Sequence, residues 1–353
     1  MRFVNYTPLP SALVPCAEGG DDLTALVLAC VTYTITPVAQ GQTNFGSTLK
    51  LAYAQRPLER GAARIEPGDD VFVREGVSVT ASGFVYPAAE KAPKAEASLA
   101  VGSEVRRVRA FGPRVWREGV FGNLSPTSPL PFERVPMTWE NAYGGTLVRK
   151  TSFVERDGRS YLVPEYTTAY PHNADGLGFY LERGDALEKP LPSLEHPDML
   201  IKSWDDKPHP VCFAPYPMNG GMRPMVLNEG DKVNLNRMGK LTCRAAPWLI
   251  FQTIEPGTNI VLSGMRPKGD TLGFVVPETP IQVRALLGRA LFRMKPRLDS
   301  VEIDAEAAQV RMVYRSSFKF GLVQHERREV FVEPSDHFPE VPKPPRSQTE
   351  AAR

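Results

Sequence analysis

The residues best suited to bind a metal ion are two histidines and three aspartates that fall within fourteen positions. They are His196, Asp198, Asp205, Asp206 and His209. Imidazole and carboxylate groups together can hold zinc or a similar ion, so a metal-dependent hydrolase using His196, Asp198 and His209 is one hypothesis for the function. The two histidines lack the four-residue spacing that places both rings on one helix face, and three nearby prolines predict a loop. We therefore expect these side chains to serve in turns and at the surface, with no bound metal.

Other catalytic motifs are missing from the sequence. There is no GxSxG nucleophile elbow, Gly239-Lys240 lacks the rest of a Walker A loop, and Gly176-Leu177-Gly178 lacks the third glycine of a dinucleotide-binding fingerprint. The four cysteines form no CxxC pair. Cys30 and Cys243 have apolar or aromatic neighbours, which favours buried, unreactive thiols. The sequence thus predicts a protein that is not an enzyme and binds no cofactor.

The charge balance argues against nucleic-acid binding. The 42 basic and 40 acidic residues leave a net charge of +2, whereas duplex binding requires a concentrated positive surface. The densest basic cluster consists of Arg106, Arg107, Arg109, Arg114 and Arg117. Two of these share one face of a predicted strand, and glutamates lie close by in the sequence. We expect a solvated or ion-paired face here; a docking surface for an acidic protein partner is the alternative.

The elements that must position these residues are predicted to be strands. The 34 prolines argue against a helical bundle, because proline removes an amide donor and blocks helix interiors. Val31, Tyr33 and Ile35 alternate with threonines, which is the period of a half-buried strand. Turns at Gly102-Ser103 and Asp157-Gly158 each separate two strand-like runs and predict hairpins. The expected fold is mainly β with little helix.

Composition shifts divide the chain into three predicted parts. Residues 1–148 are expected to form a sandwich-like domain closed by the Pro/Trp-rich segment between positions 113 and 145, an ordered but irregular stretch lying over a sheet. Residues 149–333 are expected to form a second β-rich, loop-heavy unit. Residues 334–353 are expected to be a Pro-rich tail, extended or disordered.

The sequence carries no membrane signal. No apolar stretch of signal-peptide length follows the N-terminal Met1, and the longest apolar run, 25–31, is far shorter than the ~20 residues that span a bilayer. We expect a cytoplasmic protein without a membrane partner.

The most distinctive motif combines an arginine–tryptophan pair, Arg114-Val115-Trp116, with the run from Pro131 to Gly145 that ends in Glu140-Asn141-Ala142-Tyr143-Gly144-Gly145. A later element reads Asn173-Ala174-Asp175-Gly176-Leu177-Gly178-Phe179. Arg114 and Trp116 lie on one face of an extended chain, where the guanidinium can stack on an aromatic ring or fork to Glu140. The cluster is predicted to clamp the irregular segment onto the domain; direct contact with a partner is the alternative.

These motifs resemble the bacterial domain-of-unknown-function family 2169. The resemblance extends to Leu191-Pro192-Ser193-Leu194-Glu195, to Phe213-Ala214-Pro215 and to the run from Leu298 to Asp304. It selects one candidate structural or partner-binding cluster. The members are Arg114, Trp116, Trp139, Glu140, Tyr143, Gly144, Gly145, Asn173, Gly176, Gly178 and Phe179.

The resemblance implies a function in protein secretion. Members of this family occur beside type VI secretion genes and are taken to be adaptors or chaperones. They are thought to hold a toxic effector, through its N-terminal or spike-binding region, and to help load it onto a VgrG/PAAR-type spike. The expected partners are an effector and a spike-tip protein. Besides the hydrolase, the alternative is a structural component that stays in the secreted spike.

Overall fold

The computed structural model describes residues 1–17, 22–39, 49–51, 76–90, 92–120, 122–216, 245–321 and 326–340. Strand accounts for 52% of the structure and helix for 5%, so the prediction of a mainly β fold with little helix is confirmed. Within these ranges, no helix is long and apolar enough to cross a membrane.

The strands and helices follow in chain order. The strands are β1 (Arg2–Asn5), β2 (Ser11–Ala17), β3 (Asp22–Ile35), β4 (Leu49–Leu51), β5 (Val77–Ser82), β6 (Phe84–Val85), β7 (Lys94–Val101), β8 (Glu104–Phe111), β9 (Trp116–Glu118), β10 (Leu124–Pro126), β11 (Val135–Pro136), β12 (Tyr143–Gly144), β13 (Thr146–Arg149), β14 (Ser152–Arg156), β15 (Arg159–Val163), β16 (Tyr166–Ala169), β17 (Leu177–Gly178), β18 (Leu194–Glu195), β19 (Ile250–Phe251), β20 (Asn259–Ser263), β21 (Leu272–Val275), β22 (Ile281–Leu287), β23 (Ala290–Met294), β24 (Arg297–Asp304), β25 (Gln309–Gly321) and β26 (Arg328–Pro334). Within the described ranges, the helices are α1 (Arg183–Ala186) and three 3-10 turns, Trp139–Asn141, Pro247–Leu249 and Pro267–Gly269.

The largest sheet has seven strands. Six run in the order β19-β5-β24-β25-β3-β2, and β4 pairs with the far end of β3. In β3 the predicted alternation is present, because Val31, Tyr33 and Ile35 are buried while Thr34 is exposed. In β5 both faces are covered: Ser78 and Thr80 are buried like Val77 and Val79, with which they alternate, which is typical of a strand enclosed on two sides.

Two further sheets complete the main body. One has the order β18-β8-β7-β20-β21 and the other β1-β26-β22-β23. The predicted hairpin around Gly102 is confirmed as β7 and β8, with Gly102 at a φ of 57°. The stretch 283–294, where the sequence shows its least strand-like periodicity, is the hairpin of β22 and β23.

Each large sheet joins strands from both predicted domains. In the seven-stranded sheet β5 pairs with β24, in the five-stranded sheet β7 pairs with β20, and in the four-stranded sheet β1 pairs with β26. The predicted boundary at residue 148 therefore does not divide the sheets. The sequence could not show this, because pairing between distant parts of the chain leaves no local pattern. One apolar core extends across strands of all three sheets.

The predicted tail falls partly outside the described residues, which end at 340. Its first residues pack on the body. The Ser335 hydroxyl donates to the Thr279 carbonyl at 2.7 Å, and Phe338 packs against the core.

Candidate functional site

Two segments of the sequence-predicted cluster pair with each other. Tyr143 and Gly144 in β12 lie parallel to Leu177 and Gly178 in β17. The Phe179 amide donates to the Gly144 carbonyl at 2.8 Å. The structure thus brings the two halves of the motif, more than thirty positions apart, into one short ladder.

Asn173 is the centre of this junction. Its side-chain amide donates to the Trp139 carbonyl at 2.7 Å and to the Tyr143 carbonyl at 3.1 Å, and its own carbonyl accepts from the Gly145 amide at 2.8 Å. Asn173 is buried, so each of these bonds replaces a partner that water would otherwise supply. The side chain therefore fixes the backbone on both sides of the 3-10 turn Trp139–Asn141.

Arg114 is buried and pairs with Glu195, not with Glu140. Its guanidinium donates to a Glu195 carboxylate oxygen and, at 2.7 Å, to the Pro192 carbonyl. The second Glu195 oxygen accepts from the Ile201 amide at 2.9 Å. Glu140 is exposed, so the predicted fork to Glu140 is wrong. The predicted aromatic stacking is present, on Phe111, with 3.9 Å from the guanidinium carbon to the ring centroid.

The remaining aromatic members of the cluster form a second, smaller core. Trp116, Tyr143 and Phe179 are buried and pack with Tyr170 and Tyr180, among others. Tyr143 and Tyr170 meet edge to face, with ring centroids 4.9 Å apart. These side chains point into the protein, so their observed contacts are those of a clamp between segments.

Trp139 connects the cluster to a pocket. Its indole N–H donates to the carbonyls of Ala214 and Pro215 at 3.1 and 3.0 Å, and its ring lies edge to face with Tyr216, centroids 4.6 Å apart. One side of the Trp139 ring faces a cavity of about 460 Å³, which we call the ring pocket. It is lined by Arg106, Trp139, His172, His196, Met199, His209, Pro210, Val211, Tyr216, Ala246, Pro247 and Trp248.

The exposed surface that lines the ring pocket is mostly apolar, although Arg106 and three histidines contribute to it. The backbone carbonyl of Trp248 accepts a hydrogen bond from the Arg106 Nε at 2.8 Å. Met199 and His209 are exposed, which leaves the pocket open to solvent on their side. An open, ring-lined cavity of this size suits an apolar side chain or small aromatic group. Sequence reasoning missed it because the lining comes from segments that are separate in the sequence.

Three of the chain's five histidines line this pocket. The rings of His172 and His209 meet with centroids 4.9 Å apart, and Tyr170 packs on the other side of His172 at 5.5 Å. Partial burial, and secondarily the neighbouring His209, lower the pKa of the His172 imidazole from its ordinary 6.5.

His172 should therefore make stability depend on pH. Between its lowered pKa and about 6.5, the unfolded chain binds more protons at this site than the folded protein, so the unfolding free energy should fall as the pH drops through that window. NMR titration of the imidazole signals should place the His172 midpoint below 6.5 and move it upward in His209→Gln. A His172 midpoint at or above 6.5 would contradict this prediction.

The side chains that the sequence suggested as metal ligands make other contacts in the structure. The His196 Nδ1 accepts from the Asp198 amide at 3.2 Å, the Asp198 carboxylate accepts from Arg107 at 3.3 Å, and His209 packs on His172. Among the described residues, which include all five proposed ligands, no group of three His, Cys, Asp or Glu side chains is placed to hold a metal ion. The geometry gives the hydrolase hypothesis no support from these residues.

Two of the cysteines are buried, and arginines of the basic cluster form ion pairs. Cys30 and Cys212 are buried, and burial raises the pKa of the Cys212 thiol far above its ordinary value, which keeps it protonated. Cys243 lies outside the described residues. On β8, Arg107 and Arg109 pair with Asp198 and Glu96.

These features define a multi-sheet β protein whose distinctive motif forms an internal clamp beside an apolar, ring-lined pocket. The chain belongs to the bacterial family described as "Uncharacterized protein conserved in bacteria (DUF2169)", whose family model matches residues 20–315. The family predicted from the motifs is thereby confirmed. No curated protein and no solved structure matches the chain.

Proposed function

We propose that this protein is a non-enzymatic adaptor that holds a segment of a type VI secretion effector and helps load it onto the spike, acting in the bacterial cytoplasm before secretion. The secretion context rests on the motifs that resemble members of the family found beside type VI secretion genes. The binding role rests on the ring pocket, an open apolar cavity lined by Trp139, Tyr216 and Trp248. Burying one large apolar side chain in it would contribute about 1.5–3 kcal/mol to binding.

A second surface supports a role in protein binding. β13 pairs with β16 and β14 pairs with β15, so residues 146–169 form one long hairpin, which we call the arm. At its tip Asp157 and Gly158 have φ of 52° and 70°, which defines a type I′ turn and confirms the predicted hairpin. Among the strands that the structure describes, neither strand pair of the arm joins a larger sheet.

The arm exposes apolar side chains. Those that are large and exposed are Val148, Phe153, Tyr161, Leu162 and Tyr166. Phe153 and Leu162 lie directly opposite each other on one face, where they would give a partner a paired apolar contact. An isolated two-stranded hairpin is marginally stable in water, so a partner that covers these residues would stabilise the arm.

The test compares effector binding by matched variants. Met199 is half-exposed at the ring pocket, so Met199→Glu should fold normally yet place a charge where the effector side chain would be buried. We expect binding of the effector that co-purifies with the parent protein to weaken at least about tenfold, because burying an unpaired charge costs more than 1.4 kcal/mol. Val120→Glu changes a side chain that is 98% exposed and should bind as the parent does.

Recovery from secreting cells decides between the proposal and its rivals. Tagged protein should co-purify with an effector or spike component from the cell fraction, and the effector should be less abundant without it. The proposal fails if neither component co-purifies, or if Met199→Glu and Val120→Glu bind equally well. Near-stoichiometric recovery with the spike in the secreted fraction would instead make the chain a structural component.

A further inference from the structure

The edge of the four-stranded sheet opposite β1 is formed by β23. Among the described strands it pairs only with β22, through a two-residue turn at Gly288 and Arg289 in which Gly288 has a φ of 60°. All of β23 except Met294 is exposed, including Leu291 and Phe292, which are about half-exposed. Within the described residues, nothing pairs with its outer side.

The geometry of the turn determines which backbone N–H and C=O groups of β23 point to that outer side. A two-residue turn makes the flanking residues, Leu287 and Ala290, a hydrogen-bonded pair, and such pairs then alternate along the hairpin. The backbone N–H and C=O groups of Leu291 and Arg293 therefore point away from β22. They form a free edge to which another strand can add.

The charges beside this edge are unbalanced. Arg284 on β22 and Arg293 on β23 lie directly opposite each other, an arrangement that is destabilising for like charges. Glu333 pairs with Arg284 at 2.5 Å, but Arg293 and Arg289 have no acidic partner among the described residues. A polar cleft of about 180 Å³, lined by Gln282, Arg284, Arg293 and Glu333, lies at this position.

We propose that β23 accepts an extended segment of a partner protein as a fifth strand, and that this segment alternates acidic and apolar residues. On one face of β23 lie Leu291 and Arg293, where a carboxylate would pair with Arg293 at the cleft, and Arg289 precedes them in the turn. On the other face lie Ala290 and Phe292, which would contact apolar side chains. This surface uses none of the residues of the ring pocket, so the proposal stands or falls independently of the effector contact described above.

Basic residues on an edge strand can also serve only to prevent sheets from pairing, and peptide binding separates the two roles. The probes are (Glu-Val)4-amide and (Lys-Val)4-amide, each carrying fluorescein on its N-terminal amine, titrated with the full chain and followed by fluorescence anisotropy. The acidic peptide should bind, with an affinity that falls as salt rises, and the basic peptide should not. Amide hydrogen exchange at Leu291 and Arg293 should slow when the acidic peptide is added.

Two variants locate the site. Arg293→Glu should weaken binding of the acidic peptide at least tenfold, whereas Arg134→Glu, at an exposed arginine outside both the arm and the ring pocket, should leave it unchanged. Leu291→Pro removes an outward N–H without removing a bond to β22 and should also abolish binding; should it fail to fold, Arg293→Glu decides. Equal binding of both peptides, or unchanged binding by Arg293→Glu, would overturn the proposal.

Discussion

Replacing Gly144 with alanine should destabilise the protein by about 4 kcal/mol, because two penalties combine at this position. Gly144 has a φ of 152°, in the range that L side chains rarely adopt. A Cβ built there would collide with the Asn173 carbonyl oxygen and lie 2.8 Å from the Asn173 Cβ. The residue pushed aside is the one that fixes the Trp139 and Tyr143 carbonyls, so the junction should open as a unit.

Substitutions at two other glycines measure the backbone penalty and the steric penalty separately, by urea unfolding. Gly158→Ala at the arm tip keeps a positive φ of 70° but has nothing within 4 Å of the new Cβ, so only the backbone cost of about 1 kcal/mol is expected. Gly176→Ala has no positive φ, yet its Cβ would lie 2.7 Å from the Ala142 carbonyl oxygen. Its effect should fall between the other two. A Gly144→Ala loss no larger than that of Gly158→Ala would show that the junction yields easily.

Glu195→Ala should lower the unfolding free energy by about 3–5 kcal/mol, because it leaves the Arg114 guanidinium charged and buried without a counter-ion. The two side chains are only 6% and 1% exposed. The substitution also removes the acceptor of the Ile201 amide. Thermal and urea unfolding both report the loss.

Two control variants should be measured in the same way as Glu195→Ala. Glu118→Ala removes the acidic partner of Arg183 in a pair that is about half-exposed, and should cost less than about 1 kcal/mol. The double variant Arg114→Met/Glu195→Leu removes both charges and should be more stable than Glu195→Ala alone. If Glu195→Ala and Glu118→Ala cost the same, the Arg114–Glu195 pair is not what holds these segments together.

Local patterns were enough to predict the fold class and the hairpins. The period-two alternation through Val31, Tyr33 and Ile35 and the Asp157-Gly158 turn are encoded within a few residues, and both are present in the structure. The division at residue 148 depended on composition alone. The pairing of β1 with β26, or of β5 with β24, joins segments that are distant in sequence. Neither segment contains a pattern that indicates its partner strand.

The candidate site was predictable only as a cluster. The family resemblance grouped Tyr143, Gly144, Asn173 and Phe179, and the structure places them in one junction. The partner of Arg114 was misassigned, since the nearer Glu140 and the distant Glu195 are equally suitable acids until the strands are placed. The ring pocket needed Trp139, His172, Tyr216 and Trp248 from four separate segments, and no spacing links them.

The centre of the largest sheet joins an early strand to a late one, since β3 is paired along its whole length with β25. A ribosome adds about 5–20 residues per second, so β3 emerges on the order of tens of seconds before its neighbour exists. During that time the edge of this apolar strand that β25 later covers is unpaired and open to the folding chaperones and proteases of the cell. A nascent chain interrupted before residue 297 would lack three strands, β24, β25 and β26, from two sheets, and should be degraded before it can bind anything.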